Sequence, residues 1–148
     1  MAVFPSKPDA LKEIFAQPKP LIGTIHCLPF PGSPQYEGEP LEGIVEHAVA
    51  EALRYAEGGL DGVIVENGWD VPFSRPEDIG FETMTTMAVV ANAVRESCGI
   101  PIGVNLLANG AIPGLAVAKA VQARFIRVNQ WVNAYVANEG FMQGESAR

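Results

Sequence analysis

Five residues whose types carry chemistry share one placement in this sequence. His26, Glu66, Asn105, Arg127 and Asn129 each fall toward the C-terminal end of a short apolar run. Side chains alternate along an extended strand, so parity sorts their neighbours. Ile22, Thr24 and His26 share a face, as do Ile64 and Glu66, Gly103 and Asn105, and Arg127 and Asn129. The opposite faces are mostly apolar: Ile25, Val63 and Val65, Val104 and Leu106, Ile126 and Val128. Those faces are expected to pack under helices. The polar faces then converge on one concave surface, the C-terminal rim where parallel α/β sheets and barrels hold their ligands.

On that rim Glu66 reads as a general base, a metal ligand or a substrate ligand, against a plain ion pair with Arg127. His26 reads as an acid/base, against a hydrogen-bonded core histidine. Thr24, Asn105, Arg127 and Asn129 are assigned to substrate positioning. Asn67 and Asp70 follow Glu66 in a loop broken at Gly68, and are assigned to substrate binding too, against a capping role for Asp70. His47 lies beside Glu46 and belongs to a solvated helix face.

Other chemistries have no support. There is no Gly-rich phosphate motif of the dinucleotide or P-loop kind and no nucleophile elbow. No lysine falls in an expected strand, which disfavours a Schiff-base aldolase; Lys119 lies in an expected helix. The sequence names no cofactor, metal or reaction. A net charge of -7 over 148 residues argues against a nucleic-acid partner. No apolar run reaches the roughly 18 residues of a membrane span, and residues 1–8 lack the apolar stretch of a signal peptide. Cys27 and Cys98 are not expected to pair, which fits a reducing cytoplasm.

The elements that must position these residues follow from periodicity and breakers. Ser6 is expected to cap a short helix with Asp9 three residues on. Its face is Ala10, Leu11, Ile14 and Phe15, and Pro18 and Pro20 end it. Such a helix either plugs the bottom of a barrel or forms a surface arm. Leu21 to Leu28 reads as the first strand. Pro29, Pro31 and Pro34 make the next stretch a long loop. Leu41 to Glu57 is a helix with Ile44, Val45, Ala48, Val49, Ala52, Leu53 and Ala56 on one face, stopped by Gly58-Gly59. The second strand comes next and ends at Glu66. Glu82 to Ser97 is the next helix, Ile100 to Leu107 the third strand, Leu115 to Gln122 a short helix and Arg124 to Asn129 the fourth strand. Helices separate every pair of strands, so the sheet should be parallel with right-handed crossovers. The fold class is α/β, built of parallel βα repeats in one domain over residues 1–148. Residues 144–148 read as the first turn of a further helix.

Several of these stretches carry a resemblance. Pro20-Leu21-Ile22-Gly23-Thr24-Ile25-His26-Cys27-Leu28-Pro29 with Pro31-Gly32-Ser33-Pro34 is one. Gly58-Gly59-Leu60-Asp61-Gly62-Val63-Ile64-Val65-Glu66-Asn67 with Asp70-Val71-Pro72-Phe73 is another. Gly103-Val104-Asn105-Leu106-Leu107 with Asn109, Phe125-Ile126-Arg127-Val128-Asn129, Ala134-Tyr135-Val136 and Glu139-Gly140 complete the set. Together they resemble the BtpA/SgcQ family over nearly the whole chain. The resemblance implies a TIM (β/α)8 barrel of ribulose-phosphate-binding type. Family members are nearly twice this length, so the chain would hold the N-terminal half-barrel, C-terminally truncated. The resemblance also implies two functions. One is a biogenesis or assembly factor for a membrane complex, photosystem I, acting with a protein partner at the periphery of a membrane. The other is a small-molecule barrel enzyme acting on a phosphorylated sugar or related metabolite, since other members resemble cytosolic proteins associated with sugar metabolism; on the parity reading alone it would work through His26 and Glu66, with acid/base or metal assistance. The resemblance transfers no catalytic residues. Four parallel strands with a bare inner face and open edges are expected to associate, as a homodimer or other oligomer through the open sheet.

Overall fold

The computed structural model describes residues 7–148. The chain begins with helix α1 (Ala10–Phe15) and runs through strand β1 (Ile22–His26), helix α2 (Leu41–Glu57), strand β2 (Gly62–Glu66) and helix α3 (Phe81–Cys98). Strand β3 (Ile102–Asn105), helix α4 (Ala111–Ala120), strand β4 (Phe125–Ile126) and a hairpin of β5 (Ala134–Ala137) and β6 (Gly140–Gln143) complete it. The first four strands form one parallel sheet in the order β1-β2-β3-β4. This is the parallel sheet expected from the βα rhythm, and its four consecutive strands are those of the half-barrel that the resemblance implies.

Parity decides what is core. Ile25, Val63, Val65, Ile102 and Val104 lie on the outer face and are fully or almost fully buried. Ile44, Ala48 and Ala52 of α2, one helical turn apart, cover them. Met87, Val90, Ala91, Val94 and Cys98 of α3 do the same, at the helical spacing that makes a single stripe. Removing apolar side chains from such a stripe costs about 2–5 kcal/mol each for Ile- or Met-sized groups. Gly99 takes a left-handed φ of 66° and stops α3.

The inner face is open at the top and plugged at the bottom by α1. Phe15 meets Phe125 edge-on at 5.4 Å between ring centroids. Its ring occupies the space a β-carbon at Gly62 would need, 2.7 Å away, and the Phe125 ring does the same at Gly103. The two glycines on the lower inner face are therefore seats for aromatic rings. Asp9 caps α1: its side chain accepts the Lys12 N–H. Ser6 lies outside the described residues.

Three further expectations change. The fourth strand is only Phe125–Ile126, because its one ladder neighbour is the short β3. α4 starts at Ala111, before Pro113, because a proline is tolerated in the first turn, where its missing N–H costs nothing. Residues 144–148 form a turn, not a helix.

The hairpin β5–β6 was not expected. Asn138 and Glu139 turn the chain, and Gly140 comes next at φ 102°, a left-handed position that glycine accepts at no steric cost. Met142 is buried on the inward face, while Val136 and Phe141, paired across the strands, face outward. The hairpin is tied down at two points. Arg75 Nε–H donates to the Glu139 carbonyl at 2.7 Å, and Asn109 Nδ2 donates to the Gln143 carbonyl at 3.1 Å. Among the described residues, no helix is long and apolar enough to cross a membrane.

Candidate functional site

Strand register assembles the site. In the ladder His26 sits beside Glu66 and Glu66 beside Asn105. Arg127 continues the row beyond β4, where its backbone N–H donates to the Val104 carbonyl at 3.0 Å. Neighbouring strands lie about 4.8 Å apart, so four polar residues stand side by side at one height across the inner face.

Glu66 is the centre of that row. It is 4 % exposed, accepts two hydrogen bonds and stands within ion-pair distance of His26. His26 Nε2 approaches Oε1 at 2.9 Å. Asn105 Nδ2 donates to Oε2 at 2.7 Å, and Arg127 Nη1 donates to the same oxygen at 3.0 Å. A buried carboxylate is tolerable only with such partners. The carboxylate is taken up by its neighbours, while the two flanking side chains remain half open: His26 is 53 % and Arg127 49 % exposed. With Nε2 facing Glu66, the Nδ1 atom of His26 is the ring nitrogen left to the open face. Gly68 makes room for that ring, because a β-carbon there would come within 2.7 Å of it. In the sequence Gly68 is legible only as a chain break.

Asn105 is 1 % exposed. Its Nδ2 serves Glu66, but its Oδ1 is buried and has no donor among the described residues. Leaving such an atom unpaired costs about 1–3 kcal/mol, so the polar row is incomplete at this point.

The remaining assigned residues lie elsewhere. Asn67 faces away from Glu66, as alternation requires. Its amide donates to the Leu107 carbonyl at 3.2 Å and to Asp70 Oδ2 at 3.0 Å, and its Oδ1 accepts the Leu107 N–H at 2.8 Å. Asp70 Oδ1 accepts the Phe30 N–H at 2.7 Å. Burial raises the Asp70 carboxyl above its usual range, against the lowering effect of the Phe30, Asn67 and Ser33 hydrogen bonds. The adjoining cavity, lined by Asp70, Ser33, Ser74 and Thr83, has a volume of about 30 Å³, room for roughly one water. Asn67 and Asp70 thus clamp three loops together. Asn129 Oδ1 accepts the Asn109 N–H at 3.2 Å, which joins it to the hairpin anchor. Thr24 is on the inner face and half-buried; its carbonyl accepts the Tyr55 hydroxyl at 3.1 Å, and its side chain makes no hydrogen bond to the Glu66 group. Asn109, fully buried at φ 57°, is the positioning residue that sequence reasoning missed.

Cys27 and Cys98 are both free thiols and buried. Burial pushes the Cys27 thiol up, with Asp70 and Glu66 adding to the effect, which disfavours a nucleophilic thiolate. Among the described residues, no group of three or more His, Cys, Asp or Glu side chains is placed to hold a metal ion.

Comparison with known proteins places this geometry. The model of the BtpA family matches residues 17–148. An uncharacterized protein of Pyrococcus horikoshii is 40% identical over 85% of this chain and 48% of its own length. The photosystem I biogenesis protein BtpA of Synechocystis is 35% identical over 92% of this chain and 47% of its own. A mitochondrial uncharacterized protein of Caenorhabditis elegans is 34% identical over 85% of this chain and 47% of its own. The chain spans about half the length of these relatives. Among solved structures, a mandelate racemase/muconate lactonizing enzyme-like protein from Rubrobacter xylanophilus superposes with a TM-score of 0.51 at 19% identity, over 72% of this chain and 30% of that one. That likeness concerns the fold, a TIM-type barrel of which this chain forms four consecutive strands.

Proposed function

The chain belongs to the BtpA family, and we propose that it works through a small-molecule acid–base site on the rim of its half-barrel. His26 is the group that moves the proton, and Glu66 is the carboxylate that orients it. One observation carries this reading: the half-exposed His26 ring turns Nε2 onto a buried Glu66 at 2.9 Å. A carboxylate on one ring nitrogen fixes the tautomer and leaves the other nitrogen to exchange protons with a substrate, as in the general acid–base pairs of many enzymes. Glu66 itself, already accepting from Asn105 and Arg127, is better suited to orienting than to abstracting a proton. A phosphorylated sugar or related metabolite is the substrate class that the family and barrel type suggest.

The experiment is a thermal-shift screen of metabolites on the wild type and on Glu66→Gln. We expect a ligand that stabilises the wild type and has no effect on a Glu66→Gln chain that still folds. If Glu66→Gln merely unfolds, the Glu66–Arg127 contact is an ion pair of the scaffold and the acid–base reading falls.

A second reading is a biogenesis or assembly factor with a protein partner at the periphery of a membrane. It rests on the name of the Synechocystis relative. Relatives of comparable identity in Pyrococcus and Caenorhabditis come from organisms without photosystems, which favours the rim chemistry as the shared property. Recovery of a photosystem I subunit with this chain from photosynthetic membranes would reverse that preference.

A further inference from the structure

We infer that the stretch of rim between His26 and Arg127 is an oxyanion subsite, so that the ligand is a small anionic metabolite, a carboxylate or a phosphate, whose charged group lies beside the His26 ring. The inference rests on the acid–base reading above and adds the place on the rim where the ligand's charged group is held.

Charge and geometry carry it. Two nitrogenous side chains close on the two oxygens of one buried carboxylate, His26 on Oε1 and Arg127 on Oε2. Arginine is always charged, so the Arg127–Glu66 pair is already neutral, and a proton on His26 leaves the group with a surplus positive charge. No other carboxylate among the described residues is within ion-pair distance of either side chain. Neutralising Glu66 would need only a point charge. A guanidinium offers five donors in a rigid fork that matches a carboxylate or phosphate edge. Arg127 spends one hydrogen bond on Glu66, and half its side-chain surface is open. The row fixes both groups at one height on the same face, on either side of Glu66, so an anion that bridges the open edge of Arg127 and the His26 ring would lie along that row. The surrounding chain carries a net charge of -7 and repels anions in general, so measurable binding requires a local site.

The experiment titrates inorganic phosphate and, separately, glycolate into the isotopically labelled chain at constant ionic strength. It reads the His26 ring and Arg127 guanidinium resonances, with glycerol as the uncharged control. Saturable shifts with at least one anion and none with glycerol are expected, and the anion that saturates identifies the source of the charge. Arg127→Gln should weaken binding about tenfold or more, the loss expected for charge-assisted hydrogen bonds. Arg124→Gln should leave it unchanged, because that guanidinium lies at the plugged end, on the Glu13 carbonyl. Shifts that never saturate, or equal losses in the two variants, overturn the subsite. Should Arg127→Gln unfold, Arg127→Lys decides: it keeps the charge without the fork, and binding as tight as wild type overturns the inference. The same spectra report the His26 tautomer. Saturable anion binding without an Nε2–H tautomer sinks the acid–base reading and keeps the subsite; that tautomer without saturable binding does the reverse.

Discussion

The backbone N–H of Phe30 donates to the carboxylate of Asp70 at 2.7 Å, across forty residues of chain. The bond ties the loop after β1 to the loop after β2, and Asn67 extends the tie to the loop after β3 through Leu107. The three loops that surround the His26–Glu66–Arg127 row are therefore clamped by one small buried network beneath the rim.

The clamp has a pH signature. Burial is the main cause of the raised Asp70 carboxyl, which ordinarily titrates near 3.8. A folded-state value above the unfolded one means that the native state holds the proton more tightly. The associated stability is fully present below pH 3.8 and is lost as pH rises through the raised value. Asp70→Asn cannot titrate. In urea unfolding across a pH series, the stability of Asp70→Asn relative to wild type should rise from pH 3.8 upward and level off above the raised value. A constant difference would show that Asp70 titrates alike in both states.

Gly68→Ala probes the His26 seat without replacing any site residue. The new β-carbon would meet the imidazole ring at 2.7 Å, so the ring must leave Glu66. Unfolding free energy should change by only about 1 kcal/mol, the usual size of a mild substitution, while the Nε2–H signature of His26 and ligand binding are lost together. Retention of both would mean that the ring finds another way to reach Glu66.

Cys27 should be silent to thiol reagents in the native protein. It is fully buried beside two carboxylates, and both features disfavour the reactive thiolate. Labelling with a chromogenic disulfide should proceed at the rate of unfolding and become fast in denaturant. Rapid native-state labelling of Cys27 would contradict the packing of β1 against α2.

Arg75→Ala should loosen the hairpin and little else. It removes the donor to the Glu139 carbonyl, leaving Asn109 as the remaining described tie. Limited proteolysis should then cut at Asn138–Glu139 several times faster than in wild type, at nearly unchanged melting temperature. A large drop in melting temperature would make the hairpin part of the core.

The open edge of the sheet is expected to associate. Ile126, Val128 and Trp131 line a shallow apolar depression beside β4, and β1 and β4 have no outer neighbours among the described residues. Light scattering should give a mass above the 15.8 kDa of one chain, and Val128→Lys should lower it. A monodisperse, cooperatively unfolding monomer would count against association through this edge.

Parity put His26, Glu66 and Asn105 on one face, because a period of two is rigid, but on the fourth strand it left Arg127 and Asn129 together and pointed to Asn129 as the strand's polar ending. It also separated Val63 and Val65 from Glu66, and so the core from the rim. The loops were not legible in that way. Asp70 meets Phe30, and Asn67 meets Leu107, each forty residues away, and no local pattern encodes such pairings. Asn67 did carry a usable signal, since its parity is opposite to that of Glu66. Asn129 shares a face with Arg127 but was drawn off the row by Asn109, beyond the point where β4 stops pairing. The hairpin was obscured by its aromatic and apolar outward residues, Trp131, Val136 and Phe141, which read as an unfinished core element. Its marker was Asn138-Glu139-Gly140.

The row stands one residue high, and this constrains how the gene can change length. The immediate neighbours Cys27, Asn67, Leu106 and Val128 face the opposite side of the sheet from His26, Glu66, Asn105 and Arg127. A single codon gained or lost inside any of the four strands would turn a charged or amide group into the core and bring a thiol, a hydrocarbon or the Asn67 clamp amide up to the rim, damaging folding and chemistry in the same event. Insertions are tolerable only in the parts of the connections that lie away from the residues bonded to Asp70 and Asn67. Strand lengths here should thus behave as fixed quantities, with variation collecting in the stretch between Ser33 and Leu41 and in the hairpin tip.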